Sequence, residues 1–271
     1  MCGIFAVLSN ETIAKDDIVH NKWKKSFEKG FMRGPENSIY KSLNNNVVFG
    51  FHRLAINGLD NISNQPIVID NVTLICNGEI YNYKELYKEF GYDACTNSDC
   101  EIIIHLYNTF GIESTIQKLD GVFAFVLFDS SKNVVYTGRD PFGVRPMYML
   151  EDDSKFAFGS EIKVLHDLGG NIKHFIPGTY SCFSFNNSKW TLMNENISYY
   201  DLNISYSNST FIDYSKKKEE LEELYGNIRN RLISSVKKRV ITTDRPIACL
   251  LSGGLDSSLI CALVQREVNF L

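Results

Sequence analysis

The chain has 271 residues, with 28 Lys and Arg against 32 Asp and Glu and a formal net charge of -4. Its 44% hydrophobic and 22% charged residues are ordinary globular usage, which excludes disordered, collagen-like and coiled-coil classes. The mild acidity speaks against a dedicated nucleic-acid binder, which would carry a basic excess, and the length allows one large domain or two smaller ones.

In chain order, short apolar runs alternate with Gly, Asn and Asp turn signals as far as about Tyr200. The runs 2–8, 47–54, 72–76, 122–128, 134–137, 156–158 and 179–185 read as strands. Helical stretches lie between them at 18–30, 83–90 and 99–110. The last carries Ile102, Ile103, Leu106 and Tyr107 on one face, with Asp99 placed to cap it. Strands in runs with helices inserted in groups predict an antiparallel layered fold rather than regular βαβ units.

Residues 201–215 are rich in Asn, Ser and Tyr without a period and read as a linker. An amphipathic helix follows, with Leu221, Leu224, Ile228, Leu232 and Val236 at spacings of three and four. Next come a short buried strand, Ile247–Leu251, and the loop Ser252-Gly253-Gly254-Leu255-Asp256-Ser257-Ser258. A helix from Leu259 to about Arg266 closes the series. Helix, strand, glycine-rich loop and helix form the opening of a parallel nucleotide-binding domain, and it stops almost as soon as it starts.

The longest apolar run, Val122 to Phe128, is far below the ~18 residues that span a bilayer, and the N-terminus shows no secretory signal. The seven cysteines are an odd number without a Cys-x-x-Cys pair, which argues against a disulfide framework or a zinc site built on paired cysteines. The expectation is a cytoplasmic protein in a reducing compartment, with no membrane or nucleic-acid partner.

Cys2 directly follows the initiator Met1. Removal of the methionine would leave a thiol and a free α-amine in one residue, with reference pKa values of about 8.5 and about 7.7–8.0. Nucleophile and base would then coincide and no histidine partner is needed. Acyl transfer also requires donors for a tetrahedral oxyanion. Asn77-Gly78-Glu79 follows the strand 72–76, so the Asn77 side-chain amide and the Gly78 N–H can converge at a strand end. A hairpin turn is the plain alternative for Asn-Gly. A free amino-acid substrate needs a cation for its carboxylate and an anion for its ammonium. Arg53 can supply the first and Asp99 the second, against a surface ion pair and a simple helix cap.

Taken together these residues resemble the class II glutamine amidotransferases, N-terminal-nucleophile hydrolases that release ammonia from glutamine. Met1-Cys2-Gly3-Ile4, Arg33-Gly34-Pro35, His52-Arg53-Leu54-Ala55-Ile56, Asn77-Gly78-Glu79-Ile80-Tyr81-Asn82, Ser98-Asp99 and the block from Gly138 to Pro146 match the family's motifs in order. Within the family the likeness is nearest to the glutamine-hydrolysing asparagine synthetases. The resemblance implies an α+β fold, a four-layer αββα sandwich of two antiparallel sheets, followed by the start of a parallel α/β nucleotide-binding domain. It implies a glutaminase domain over 1–200, a linker over 201–215 and, over 216–271, an incomplete ATP-pyrophosphatase-type domain. It also implies that Cys2 is the nucleophile and that Asn77 and Gly78 form the oxyanion hole. Arg53 would hold the glutamine carboxylate. Asp99 and Glu79, with the backbone of Leu54, Ala55, Ile56 and Asn57, would hold the rest. Met32, Glu36 and Asn57 depart from the family's usual residues, and they bear on substrate affinity more than on the chemistry.

The loop Ser252–Ser258 is neither a Walker A nor a dinucleotide fingerprint, but its amides and the following helix N-terminus suit an anion. It resembles the pyrophosphate loop of ATP pyrophosphatases. By that likeness Ser252, Gly253, Gly254, Leu255, Asp256, Ser257 and Ser258 would cradle pyrophosphate, Asp256 would bind Mg²⁺, and Leu250 would touch adenine. The glutaminase reaction needs no cofactor. ATP and Mg²⁺, with aspartate as acceptor, belong to the full-length family, and a homodimer is expected. The ~55 residues after the linker are too few for a core of their own, so the chain alone is expected to lack synthetase activity. The alternatives are another class II amidotransferase, or a truncated copy that binds glutamine or a partner without catalysis.

Overall fold

The computed structural model of the chain describes residues 1–12, 18–201 and 218–269. It divides into two compact units, Met1–Asp201 and Leu202–Leu271. The linker expected over 201–215 lies, apart from Asp201, outside the described residues.

The first unit contains two six-stranded antiparallel sheets. One is built from β1 (Gly3–Ser9), β2 (Asn37–Ser42), β3 (Val47–Arg53), β8 (Tyr148–Glu151), β9 (Lys155–Gly159) and β10 (Asn171–His174), in the order β10-β8-β9-β1-β3-β2. The other has the order β12-β11-β7-β6-β5-β4. Its strands are β4 (Ile67–Ile69), β5 (Val72–Ile80), β6 (Gly121–Asp129), β7 (Val134–Arg139), β11 (Thr179–Asn186) and β12 (Lys189–Ser198). Helices α1 (Ile18–Glu28) and α4 (Lys163–His166) cover the first sheet, and α2 (Tyr83–Phe90) and α3 (Ile102–Lys118) cover the second. The four-layer αββα sandwich expected from the sequence is present.

Alternation along the strands builds the layers. Ile4, Ala6 and Leu8 of β1 point between the sheets, where they join Ala124, Val126 and Phe128 of β6. Phe5 and Val7 point outward to Trp23 and Phe27 of α1. Phe123, Phe125 and Leu127 point the other way, to Ile103, Leu106 and Ile116 of α3. Central strands buried on both faces carry unbroken apolar runs rather than alternation, which is why they stand out in the sequence. The five strands that sequence reading did not anticipate are β2, β4, β8, β10 and β12. Four of these are the sheet edges, where polar side chains and partial exposure, or in β4 a length of three residues, blunt the signal.

Two local features differ from the sequence expectation. The strand expected to end at Cys76 runs on to Ile80, so Asn77 and Gly78 lie within β5, paired with Ala124 and Phe123 of β6. The extra length is fixed by the nine-residue β6 opposite. Nor does Asp99 cap α3. It opens a 3₁₀ turn over Asp99–Glu101, and its carboxylate accepts the Ile80 N–H across the layer boundary at 2.7 Å. That buried donor competes successfully for the oxygen.

The second unit contains α5 (Lys218–Val240) and α6 (Leu255–Val268). Val236 and Val240 are buried, whereas Leu224 and Ile228 of the same stripe are exposed. The expected buried strand Ile247–Leu251 is neither a strand nor buried: it has no ladder, and Leu250 is 97% exposed. An extended segment becomes a strand only against a partner, and the second unit's described residues offer none. The final helix starts at Leu255 rather than Leu259, so Leu255–Ser258 form its first turn. No helix among the described residues is long and apolar enough to cross a membrane.

Candidate active site

Cys2 lies one residue before β1, and Arg53 ends β3, whose ladder with β1 runs from Gly3↔His52 to Leu8↔Val47. Continued by one step, the antiparallel register sets Cys2 opposite Arg53, with its side chain against the backbone of Leu54. The Cys2 thiol sits between the N–H and the C=O of Leu54, each 3.4 Å from Sγ. Burial pushes the thiol above its ordinary value, and the Leu54 contact opposes this. At the pocket's mouth the terminal amine, here that of Met1, is held below its ordinary value by burial and by Arg33 and Arg145.

The Arg33-Gly34-Pro35 turn fastens this corner. Arg33 Nε donates to the Cys2 carbonyl at 2.8 Å. Gly34 passes so close to β3 that a Cβ there would stand 2.4 Å from the His52 carbonyl oxygen. Glu36 then accepts the Ala55 N–H at 2.9 Å and so orients the backbone after Arg53.

From the second sheet come Asn77 and Gly78. Asn77 is 1% exposed, and its Nδ2 has no hydrogen-bond partner among the described residues. A buried amide donor left unpaired costs about 1–3 kcal/mol, which a bound acceptor oxygen would relieve. Gly78 cannot be enlarged, because a Cβ would fall 2.6 Å from the Val122 carbonyl of β6.

Asp99 closes the pocket from the helical layer. It is fully buried, and burial lifts its carboxyl from 3.8 to about 6, against the Ile80 N–H that favours the charged form. Asn57 also favours the charged form there, although neither polar atom of its side chain reaches ideal hydrogen-bond geometry.

One pocket is lined by Cys2, Arg53, Leu54, Ala55, Ile56, Asn57, Asn77, Gly78 and Asp99. Of the glutamine-site residues named from the sequence, only Glu79 is outside it. Glu79 forms an ion pair with Arg145 at 2.5 Å, and Arg145 does line the pocket. Arg53 is committed differently from expectation. Its terminal N–H groups donate to Asp60 O at 2.9 Å, Asn64 Oδ1 at 2.8 Å, Asn57 O at 3.2 Å and Gly58 O. The guanidinium thus holds the 57–64 loop around itself. A bidentate carboxylate would have to exchange with these oxygens.

Arg145 was not singled out from the sequence, and its buried Nε is unpartnered among the described residues. It reaches the pocket because Asp140 accepts from the N–H groups of Phe123, Phe142, Val144 and Arg145. Arg139 ties the same turn through the carbonyls of Gly143, Arg145 and Phe175. The block 138–146 is therefore a rigid turn that presents one arginine. The Arg-Asp-Pro start of a turn was the signal available.

The glycine loop belongs to the second unit. Gly253 has φ +85°, Gly254 caps α6, and the Ser252 and Ser257 hydroxyls meet at 2.9 Å. Ser252 to Asp256 and Ser258 are exposed, and Ser257 is half-buried.

The glutamine amidotransferase domain model matches residues 1–190, and the asparagine synthase model matches residues 227–269. The asparagine synthetase [glutamine-hydrolyzing] of Cricetulus griseus is 36% identical over 290 residues, covering 99% of this chain and 49% of that protein. The Homo sapiens protein of the same description is 36% identical over 293 residues, with the same coverage. The chain thus spans about half the length of the curated relatives it matches. Among solved structures, the glutamine phosphoribosylpyrophosphate amidotransferase from B. subtilis superposes with TM-score 0.57 at 18% identity, over 71% of this chain and 49% of that one. The allosteric regulatory enzyme of purine biosynthesis gives 0.55 at 19%, with the same coverage. Both likenesses are of fold.

Proposed function

This chain belongs to the glutamine amidotransferase domain family, and on that premise we infer that it hydrolyses glutamine to glutamate and ammonia, with Cys2 as nucleophile. The observation that carries the reading is one pocket holding the Cys2 thiol, the unpartnered Asn77 amide and the buried Asp99 carboxylate.

The reaction follows from those groups. Removal of Met1 frees the Cys2 α-amine, which takes the thiol proton. Burial raises the thiol, so a base within the same residue is what makes the thiolate accessible near neutral pH. Sγ attacks the amide carbon of glutamine. The oxygen that becomes negative is met by Asn77 Nδ2 and the Gly78 N–H, donors fixed in place by β5–β6 pairing before substrate arrives. Collapse expels ammonia, which carries away the proton held by the amine, and leaves a thioester on Cys2. Water, deprotonated by the same amine, hydrolyses the thioester to glutamate and restores the thiol. Asp99 as carboxylate receives the substrate ammonium. Arg53 and Arg145 supply positive charge for its carboxylate, and the exchange of Arg53 from the 57–64 loop accompanies binding.

On this reading the ammonia acceptor is aspartate, activated with ATP, which the match over 227–269 and the 36% identity support. The α6 N-terminus and its loop have donors that suit a phosphate, with Asp256 in the first turn as the Mg²⁺ ligand. The adenine side does not fit in the described residues, because Leu250 is 97% exposed and no neighbouring strand supports it.

The test is ammonia release from glutamine by protein lacking Met1. Turnover that disappears in Cys2→Ala is expected. Absence of turnover, or turnover unchanged by Cys2→Ala, would refute the reading.

A further inference from the structure

Away from the pocket, the helical layer over the second sheet carries a group of three different donor side chains. Cys95, Glu101 and His105 bring a sulfur, a carboxylate oxygen and an imidazole nitrogen within 4.8 Å of one another.

Two of the three are already held in place. Glu101 is completely buried, and its carboxylate accepts the N–H groups of Cys95 at 2.7 Å and Thr96 at 2.6 Å. His105 Nε2 lies 2.9 Å from the Glu101 oxygen. The His105 ring stacks on Tyr92, with centroids 5.1 Å apart, and meets the edge of Tyr87. The hydroxyl of Tyr87 is buried close to Glu101 and Cys95, without a partner of good hydrogen-bond geometry among the described residues. Cys95 is exposed, and Glu101, Asp70 and Asp93 add negative potential at its sulfur.

We propose that Cys95, Glu101 and His105 form a binding site for a thiophilic divalent cation, zinc being the one their donors suit best. Sulfur, nitrogen and oxygen donors together match zinc, whereas calcium and magnesium take oxygen alone. Zinc bonds of about 2.0–2.3 Å put tetrahedral donors roughly 3.2–3.8 Å apart. Closing the group from 4.8 Å therefore asks about 1 Å of movement, mostly of the exposed Cys95 side chain. On binding, the thiol proton leaves to solvent, and the neutral imidazole moves its proton to Nδ1 and coordinates through Nε2. The Glu101–His105 hydrogen bond gives way to two metal bonds, and water completes the shell. The cation meets the negative potential of Asp70 and Asp93. It also fastens the loop at Cys95 to α3, three residues before Ser98 and Asp99 enter the pocket.

The test uses the full chain, metal-free and under reducing conditions, titrated with cobalt(II). A near-ultraviolet thiolate-to-cobalt band saturating at one equivalent, and removed by one equivalent of zinc, is the expected result. Cys95→Ser, an exposed change that leaves the fold alone, abolishes the band. His105→Asn weakens cobalt binding by at least about tenfold. No band, a band of unchanged intensity in Cys95→Ser, or unchanged affinity in His105→Asn would each overturn the proposal.

Discussion

Two glycine-bearing motifs mark this sequence, and the structure treats them in opposite ways. Asn77-Gly78 is enclosed: Asn77 is 1% exposed, Asp99 is 4% exposed, and walls come from both sheets and the helical layer. In Ser252–Ser258, six of the seven residues are exposed, and Leu250 before it is 97% exposed. Both motifs are equally legible as strings. Enclosure is what lets a donor or a carboxylate act strongly, because water no longer screens it. A motif supplies donors, and the surrounding elements supply the dielectric.

The contrast can be broken or sharpened by substitution. The largest expected effect is on the enclosing layers. Phe125 is fully buried between β6 and α3, so Phe125→Ala should cost about 3–5 kcal/mol in denaturant titration. A cost near zero would mean the sandwich is not the support described. Next comes Asn77→Ala, expected to lower kcat by about 10²–10³ with a smaller change in KM, as loss of an oxyanion donor does. A pure KM effect would place Asn77 on the ground-state substrate instead.

The pH dependence of Asp99 is smaller and directional. Its carboxyl is raised to about 6, and the substrate ammonium needs it charged, so kcat/KM should fall about tenfold per pH unit below about 6. Linkage has the same origin. The folded state binds this proton more tightly than the unfolded one, so the Asp99 contribution to stability rises as pH falls from above 6 toward 3.8. Asp99→Asn removes that segment of the stability profile; a profile unchanged by the substitution would contradict the assignment. Glu101, two residues on, behaves in reverse. Burial opposes its charge, but hydrogen bonds from His105, Thr96 and Cys95 hold it down at about 2. Its contribution is present above the ordinary 4.5 and lost as pH falls through about 2. The smallest effect belongs to the exposed region, where Leu250→Ala should change stability by no more than about 0.5 kcal/mol. A larger cost would show that Leu250 is covered in the protein.

What could be read in advance follows from the same physics. Inner strands such as Val122–Phe128 show as apolar runs because both faces are buried. The edge strand Asn37–Ser42 has four polar residues in six and shows no apolar run. Cys2, Arg53, Asn77, Gly78 and Asp99 are legible from residue type and order, and they line one pocket. Their partners were not legible, because those depend on contacts distant in sequence. Asp99 spends its oxygen on Ile80 N–H rather than on a cap, Arg53 holds its own loop, and Arg145 arrives through a turn built on Asp140. Ile247–Leu251 failed for the complementary reason, since a strand is a property of a pair.

Covalent trapping tests the central claim most directly. The protein is treated with a glutamine analogue bearing an electrophilic carbon in place of the amide carbon, and its peptides are weighed. The account predicts one label, on the Cys2 sulfur of chains that have lost Met1, suppressed by excess glutamine. A label on any other of the seven cysteines, or on Cys2 in chains that keep Met1, would contradict it.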